Sequence, residues 1–159
     1  MTNEKITQGL LDRLTEQAKA SPRLRMNLDI RDSEDDGSQR MLNAIEPESV
    51  VPIHRHQKTS ETVVCLRGRL VWEYYQELRD EGSRLASDQR SSGELRDSSK
   101  SSRVQKVQEI ELSPNGQVVA LNIPAGQWHT VRALESGSVI LEMKEGAYEP
   151  LQDCDVLKM

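Results

Sequence analysis

The sequence predicts an all-β protein, an antiparallel sandwich or barrel, with one α-helix at its N-terminus. Many short segments alternate polar and apolar residues, as strands with one buried face do, and turn residues bound each of them. Only the first segment has the apolar spacing of a helix. The chain has 159 residues, which is enough for one domain with a sizeable core, whereas two domains would be crowded.

The predicted helix comes first in the chain. Apolar residues recur at helical spacing from position 6 to position 18. Thr2 or Asn3 is available as the N-cap, and the helix is expected to end at Ser21 and Pro22. Because a helix with a single apolar stripe must cover that stripe, we expect it to dock on the outside of a sheet.

The strand-like segments follow the helix in two groups. They cover residues 23–30, 41–45, 49–53, 62–66, 70–75, 104–112, 117–123, 128–134 and 138–144. Between the groups, residues 79–103 are rich in Ser, Arg, Asp and Glu and have hardly any apolar side chains. Such a composition does not offset its ordering entropy, so we expect a disordered insertion loop. The predicted organisation is a helix-and-strand extension at 1–30, a barrel at 31–150 and a tail at 151–159.

Composition and charge narrow the classes of partner. A net charge of −5 argues against nucleic acid, and no apolar run approaches membrane-spanning length. The first residues do not form a secretory signal. The two cysteines, Cys65 and Cys154, have neither metal-site spacing nor the pattern of a disulfide framework. We therefore expect a cytoplasmic protein with free thiols.

The three histidines of the chain all fall in two short segments. His54 and His56 are two positions apart in a predicted strand, so they point to the same side. Glu61 follows across a turn or bend, where its carboxylate can converge with them on one metal ion. His129 follows a tight turn built on the Pro and Gly of residues 124–126, which can aim it into the same cavity.

These segments resemble the two motifs of the cupin family. His-x-His-x4-Glu-x6-Gly, from His54 to Gly68, resembles the first motif, and Pro-x-Gly-x2-His, ending at His129, resembles the core of the second. The resemblance implies a double-stranded β-helix, or jelly-roll barrel, that binds one divalent metal in its mouth through His54, His56, Glu61 and His129. Cupin barrels often pair through their sheets, so a homodimer is expected.

A narrower resemblance covers most of the chain apart from residues 79–103. Residues 20–25, 39–44, 128–129 and 142–148 are similar to the WbuC-type cupin metalloproteins, which occur with bacterial surface-polysaccharide genes. The resemblance implies a role linked to polysaccharide or sugar metabolism, and it names no reaction.

The ligands of the predicted site favour a divalent transition metal. Three imidazoles and one carboxylate suit Fe, Mn, Ni, Co or Zn and leave coordination positions open. The leading hypothesis is an enzyme acting on a carbohydrate or related polar acid, isomerase-like or using another metal-assisted reaction. The alternatives are an iron-dependent oxygenase and a non-catalytic module that senses a sugar or a metal. No catalytic residue is assigned.

Basic side chains are candidates for binding a small polar or anionic substrate. Arginine forks suit carboxylates and phosphates, which makes Arg23, Arg25 and Arg40 candidates. The alternative for them is surface salt bridging. Lys144 is a fourth candidate and shares a strand face with Glu142. Instead of binding substrate, it could form an internal ion pair with Glu142 or be exposed to solvent.

Overall fold

Two antiparallel sheets form the part of the molecule that the computed structural model describes, residues 5–78 and 104–157. The five-stranded sheet has the order β1-β2-β8-β3-β6, and the three-stranded sheet has the order β5-β4-β7. The strands are β1 (Arg25–Asp29), β2 (Ser38–Ile45), β3 (Glu61–Arg67), β4 (Leu70–Glu77), β5 (Val104–Leu112), β6 (Ala120–Ile123), β7 (Trp128–Ala133) and β8 (Ser138–Glu145). A 3-10 turn, Asp153–Asp155, follows them. The predicted insertion at 79–103 lies outside the described residues.

The main core lies between the two sheets. Strand alternation sends Val63 and Cys65 inward from β3, and Leu70 and Trp72 inward from β4. Every one of these side chains is at most 3% exposed. The all-β class predicted from the alternating pattern is therefore confirmed, together with the single N-terminal helix.

Helix α1 (Gln8–Ala20) packs on the outer face of the five-stranded sheet, as its single apolar stripe predicted. The buried residues of this layer are Leu11, Leu14 and Ala18 of the helix, Leu42 and Ala44 of β2, and Val139 of β8. The prediction of an N-cap at Thr2 or Asn3 is wrong. Thr7 caps the helix, because its side-chain oxygen accepts a hydrogen bond from the Leu10 backbone N–H at 3.2 Å.

Loss of this cap gives a first testable result. Thr7→Ala removes the acceptor for one N–H of the first helical turn, and we expect it to lower the free energy of unfolding by about 1 kcal/mol. Urea unfolding measures the change. Thr7→Ser keeps a hydroxyl acceptor and should lie close to the unaltered protein. Equal losses in both variants would contradict the capping role.

The strand prediction fails at residues 49–53, none of which lies in a strand. Pro52 has no N–H to donate to a neighbouring strand. Backbone pairing of this segment with other parts of the fold begins after Pro52, at Ile53 and His54. His54 and His129 exchange both backbone hydrogen bonds at 2.9 Å, which forms an isolated bridge. Segment 117–123 is also shorter than predicted, since only Ala120–Ile123 forms β6.

Within the described residues, no helix combines the length and apolar character needed to cross a membrane.

Candidate metal centre

The structure brings His54, His56, Glu61 and His129 together inside the barrel. The histidine ring centroids are 4.4 Å apart for His54 and His129, 5.3 Å for His54 and His56, and 6.1 Å for His56 and His129. Glu61 lies between two of the rings, with Oε1 2.9 Å from His129 Nε2 and Oε2 3.2 Å from His56 Nε2. Each histidine offers a nitrogen within 4.8 Å of those of the other two, a spacing that can hold a metal ion.

These side chains come from three different places in the fold. Glu61 is the first residue of β3 in the larger sheet, and His129 lies in β7 of the smaller sheet. The prediction that His54 and His56 share one face of a strand is wrong, because His54 lies in isolated bridges and His56 in no strand. Their segment is instead held against β7 by the His54–His129 pair and by the Gly126 N–H, which donates to the His56 carbonyl at 2.7 Å.

Hydrogen bonds determine which ring nitrogens face the centre. His54 Nδ1 lies 2.9 Å from the Pro52 carbonyl, and His129 Nδ1 lies 2.8 Å from the Gln127 carbonyl. A carbonyl only accepts, so Nδ1 carries the hydrogen in both rings. In the neutral ring, Nε2 then presents a lone pair. This arrangement, with Nδ1–H bonded to a carbonyl and Nε2 free, is the usual one for a metal-binding histidine.

Two of the converging atoms lack a hydrogen-bond partner. Glu61 Oε2 and His129 Nε2 are buried, and no atom in residues 5–78 or 104–157 is oriented to hydrogen-bond with either. The short approaches between Glu61 and the rings are therefore not aligned hydrogen bonds. Buried polar groups are rarely left without a partner, and acceptors that face one another are satisfied by a cation. The donor set thus fits a divalent metal of borderline softness.

The protonation states suit such an ion. Burial, aided by the neighbouring His129, lowers the pKa of His54 to about 4, so this ring is neutral at pH 7. Burial by itself would raise the pKa of Glu61, and the His129 and His56 rings lower it when they carry a proton that faces the carboxylate, a role that a bound cation takes over. A neutral imidazole and an ionised carboxylate are the forms that bind metals.

Glu142 is a site residue that the sequence reasoning did not assign. It lies on β8, and a carboxylate oxygen lies within 4.8 Å of the ligand atoms of His56 and Glu61. The side-chain amide of Asn43 donates to Glu142 Oε2 at 3.1 Å. Burial raises the pKa of Glu142, and the nearby Glu61 raises it further. The only signal in the sequence was strand alternation, which placed Glu142 and Lys144 on one face.

A cavity of about 150 Å³ opens beside the centre. Arg23 and Arg25 line it, with Asn43 and Glu142 supplying further polar groups. Arg25 is held in place by its own contacts, since it donates to the Val50 carbonyl at 2.6 Å. The apolar part of the wall consists of Met26, Ile45, Val51, Trp72, Val131 and Ile140. The cavity therefore combines basic groups, a carboxylate and an apolar wall next to the converging ligands.

The other two predicted substrate-binding residues lie elsewhere. Arg40 shares a face of β2 with Leu42, on the helix side of the sheet, and its guanidinium pairs with Asp36 at 2.6 Å. It does not line the cavity. Lys144 Nζ lies 3.3 Å from His56 Nδ1 and lines a second cavity of about 370 Å³ that also contacts His56. In the described part of the chain no ion pair joins Lys144 to Glu142.

Comparison with protein families gave one match. A family model described as "Domain of unknown function (DUF6016)" matches residues 6–85, just over half of the chain. Comparison with curated proteins found no match.

Several solved structures share the fold. TT1209 from Thermus thermophilus is 20% identical, with 90% of this chain and 98% of that chain covered and a TM-score of 0.52. KdgF from Halomonas sp. is 15% identical, with coverages of 80% and 84% and a TM-score of 0.51. The capsular polysaccharide assembling protein CapF from Staphylococcus aureus is 16% identical, with coverages of 87% and 33% and a TM-score of 0.55. These likenesses concern the fold, and they confirm the all-β jelly-roll fold with an N-terminal helix.

Proposed function

Because the chain belongs to the family described as a domain of unknown function (DUF6016), we propose its function from its own site: a metal-binding cupin that acts on a small anionic molecule. His54, His56, Glu61 and His129 would hold one divalent ion. The observation that carries the proposal is the convergence of buried acceptor atoms, chiefly Glu61 Oε2 and His129 Nε2, that have no hydrogen-bond partner among the described residues. A cation is the partner that such a set requires.

The cavity supports a substrate with an acidic group. A bound divalent metal would act as a Lewis acid toward an oxygen of the substrate. Arg25 is partly buried and held by the Val50 carbonyl, so it can orient a carboxylate or phosphate without first being ordered. Arg23, which is more exposed, stands at the same cavity and can meet the incoming anion.

Glu142 and the apolar wall supply the remaining parts of the proposed site. The Glu142 carboxyl group lies at the cavity beside the ligand atoms of His56 and Glu61 and is oriented by Asn43. From this position it can give a proton to a bound substrate or take one from it. Trp72, which stacks on His129 at a centroid distance of 5.8 Å, helps to keep water from that side of the centre.

The proposed substrate class is a carbohydrate or a related polar acid, transformed by an isomerase-like or another metal-assisted reaction. The link to surface polysaccharide rests on the WbuC-type resemblance. The fold shared with CapF is a reason to include capsular-polysaccharide intermediates in a substrate screen. Fold alone does not assign a reaction, so the metal has to be tested first.

Metal analysis provides that test. Protein purified without chelators should carry about one Fe, Mn, Co, Ni or Zn per chain, as measured by elemental analysis. The stripped protein should gain stability when the metal is returned, because a ligand at 100 times its Kd adds about 2.7 kcal/mol. Thermal unfolding at increasing metal concentration measures this gain. A chain that retains none of these metals, and whose Tm none of them raises, would rule the proposal out.

A further inference from the structure

The segment that carries His54 and His56 is held from two sides. On one side it pairs with β7, through the reciprocal backbone hydrogen bonds of His54 and His129. On the other side it pairs with the C-terminal segment, residues 152–157. The Arg55 N–H donates to the Asp155 carbonyl at 3.0 Å, and the Leu157 N–H donates to the Ile53 carbonyl at 2.9 Å. Two candidate ligands that belong to no strand are thus held in part by the C-terminal segment.

The Asp155 carboxylate adds a second kind of contact. Its Oδ1 accepts from Arg55 Nε and from Gln57 Nε2, each at 3.0 Å. These two residues flank His56 in the chain. Asp155 is only 8% exposed, so the two hydrogen bonds are largely shielded from water. One buried carboxylate oxygen therefore holds the side chains of both residues that flank a candidate metal ligand.

Arg55 extends this network to the third histidine. Its guanidinium carbon lies 4.4 Å from the centre of the Trp128 ring, and its Nη1 donates to Glu77 Oε1 at 3.0 Å. Trp128 Nε1 donates to the same Glu77 oxygen at 2.9 Å. Trp128 directly precedes His129, so Arg55 connects the His54–His56 segment with the strand that supplies the third imidazole.

We propose that Asp155 is a positioning residue of the metal centre, which acts through Arg55 and Gln57 to hold His56 and His54 in the geometry that binds the ion. The inference rests on the proposed metal site. Ligands held in place before binding lose less conformational entropy when the metal arrives. Removing the carboxylate leaves the Arg55 and Gln57 donors without their buried acceptor, and the segment gains freedom to move.

Metal affinity of the full chain tests this role. We expect Asp155→Ala to raise the Kd for Co²⁺ about tenfold, at the lower end of the range for outer-shell partners. The d–d absorption spectrum of the Co²⁺ protein should change as well, because the ligand geometry changes. Asp155→Asn keeps the shape and one acceptor oxygen, and should give a smaller increase in Kd.

Two control variants separate positioning from general destabilisation. Asp153→Ala removes an exposed carboxylate from the same 3-10 turn. Thr7→Ala lowers stability from the distant helix. Both should keep the Kd and the Co²⁺ spectrum of the unaltered protein.

The outcomes distinguish this inference from the proposed function. An unaltered protein that binds none of Fe, Mn, Co, Ni and Zn overturns the proposed function and this inference with it. An unaltered protein that binds Co²⁺, with Asp155 variants of the same Kd and spectrum, overturns this inference alone. If Asp155→Ala does not fold, Asp155→Asn decides: a raised Kd with a changed spectrum supports the role, and unchanged values contradict it.

Discussion

Replacing His56 with alanine is expected to abolish stoichiometric metal binding and to raise the Kd more than about 100-fold, beyond the range typical of outer-shell partners. His56 is the best ligand to remove, because its side chain is 15% exposed and its loss leaves a smaller void than the loss of His129, which is 1% exposed. Elemental analysis and Co²⁺ titration of the purified variant measure the effect. Thermal unfolding without metal should confirm that the variant is folded.

The chain has no histidine outside the site to serve as a matched control. A nearby lysine is therefore replaced in the control variant. Lys58→Ala alters an exposed side chain that lines the same second cavity as His56 and pairs with Glu149 at 3.5 Å. It should keep full metal content. Equal metal content in His56→Ala and in the unaltered protein would contradict the assignment of the site.

Local patterns predicted most of the strands. Alternation placed β5 at residues 104–112, the bounds that the structure shows. The pattern is clear at the end of the strand, where Ile110 and Leu112 are less exposed than Glu111, and it breaks at Val107, which is 55% exposed beside the register shift opposite Tyr74 and Tyr75. Alternation also suggested a strand at 49–53, but among the described residues the only backbone partner of this segment from elsewhere in the fold is Leu157, whose N–H donates to the Ile53 carbonyl. A pattern of side chains reports which faces could be buried, and it does not report whether another strand lies alongside.

The candidate site shows the same division between local and long-range information. The spacing of the histidines pointed to one metal centre, and the structure places them together. One of the contacts beside His54 and His56, the hydrogen bond from Arg55 to Asp155, comes from about 100 residues further along the chain, and no local pattern indicates it. Arg40 lies away from the cavity for a local reason, because alternation along β2 places it on the same face as Leu42, where it pairs with Asp36.

Gly68, the last position of the first motif, should tolerate alanine poorly. Its φ is +79°, which disfavours any residue with a Cβ, and an added Cβ would lie 2.7 Å from the Cα of Ser138. Backbone cannot rotate away as a flexible side chain can. We expect Gly68→Ala to lower the free energy of unfolding by about 3 kcal/mol or more, from left-handed strain and overpacking together. Urea unfolding measures the loss.

Gly146→Ala separates those two contributions. Gly146 has a similar φ of +87°, but an added Cβ there meets no atom of residues 5–78 or 104–157 within 4 Å, so only the strain of about 1–2 kcal/mol should remain. Equal losses in both variants would show that Ser138 moves aside without cost. The contact matters for the site because Gly68 follows β3, which begins with Glu61, and Ser138 begins β8, which carries Glu142. If the clash shifts these paired strands, Gly68→Ala should also weaken metal binding, whereas Gly146→Ala should not.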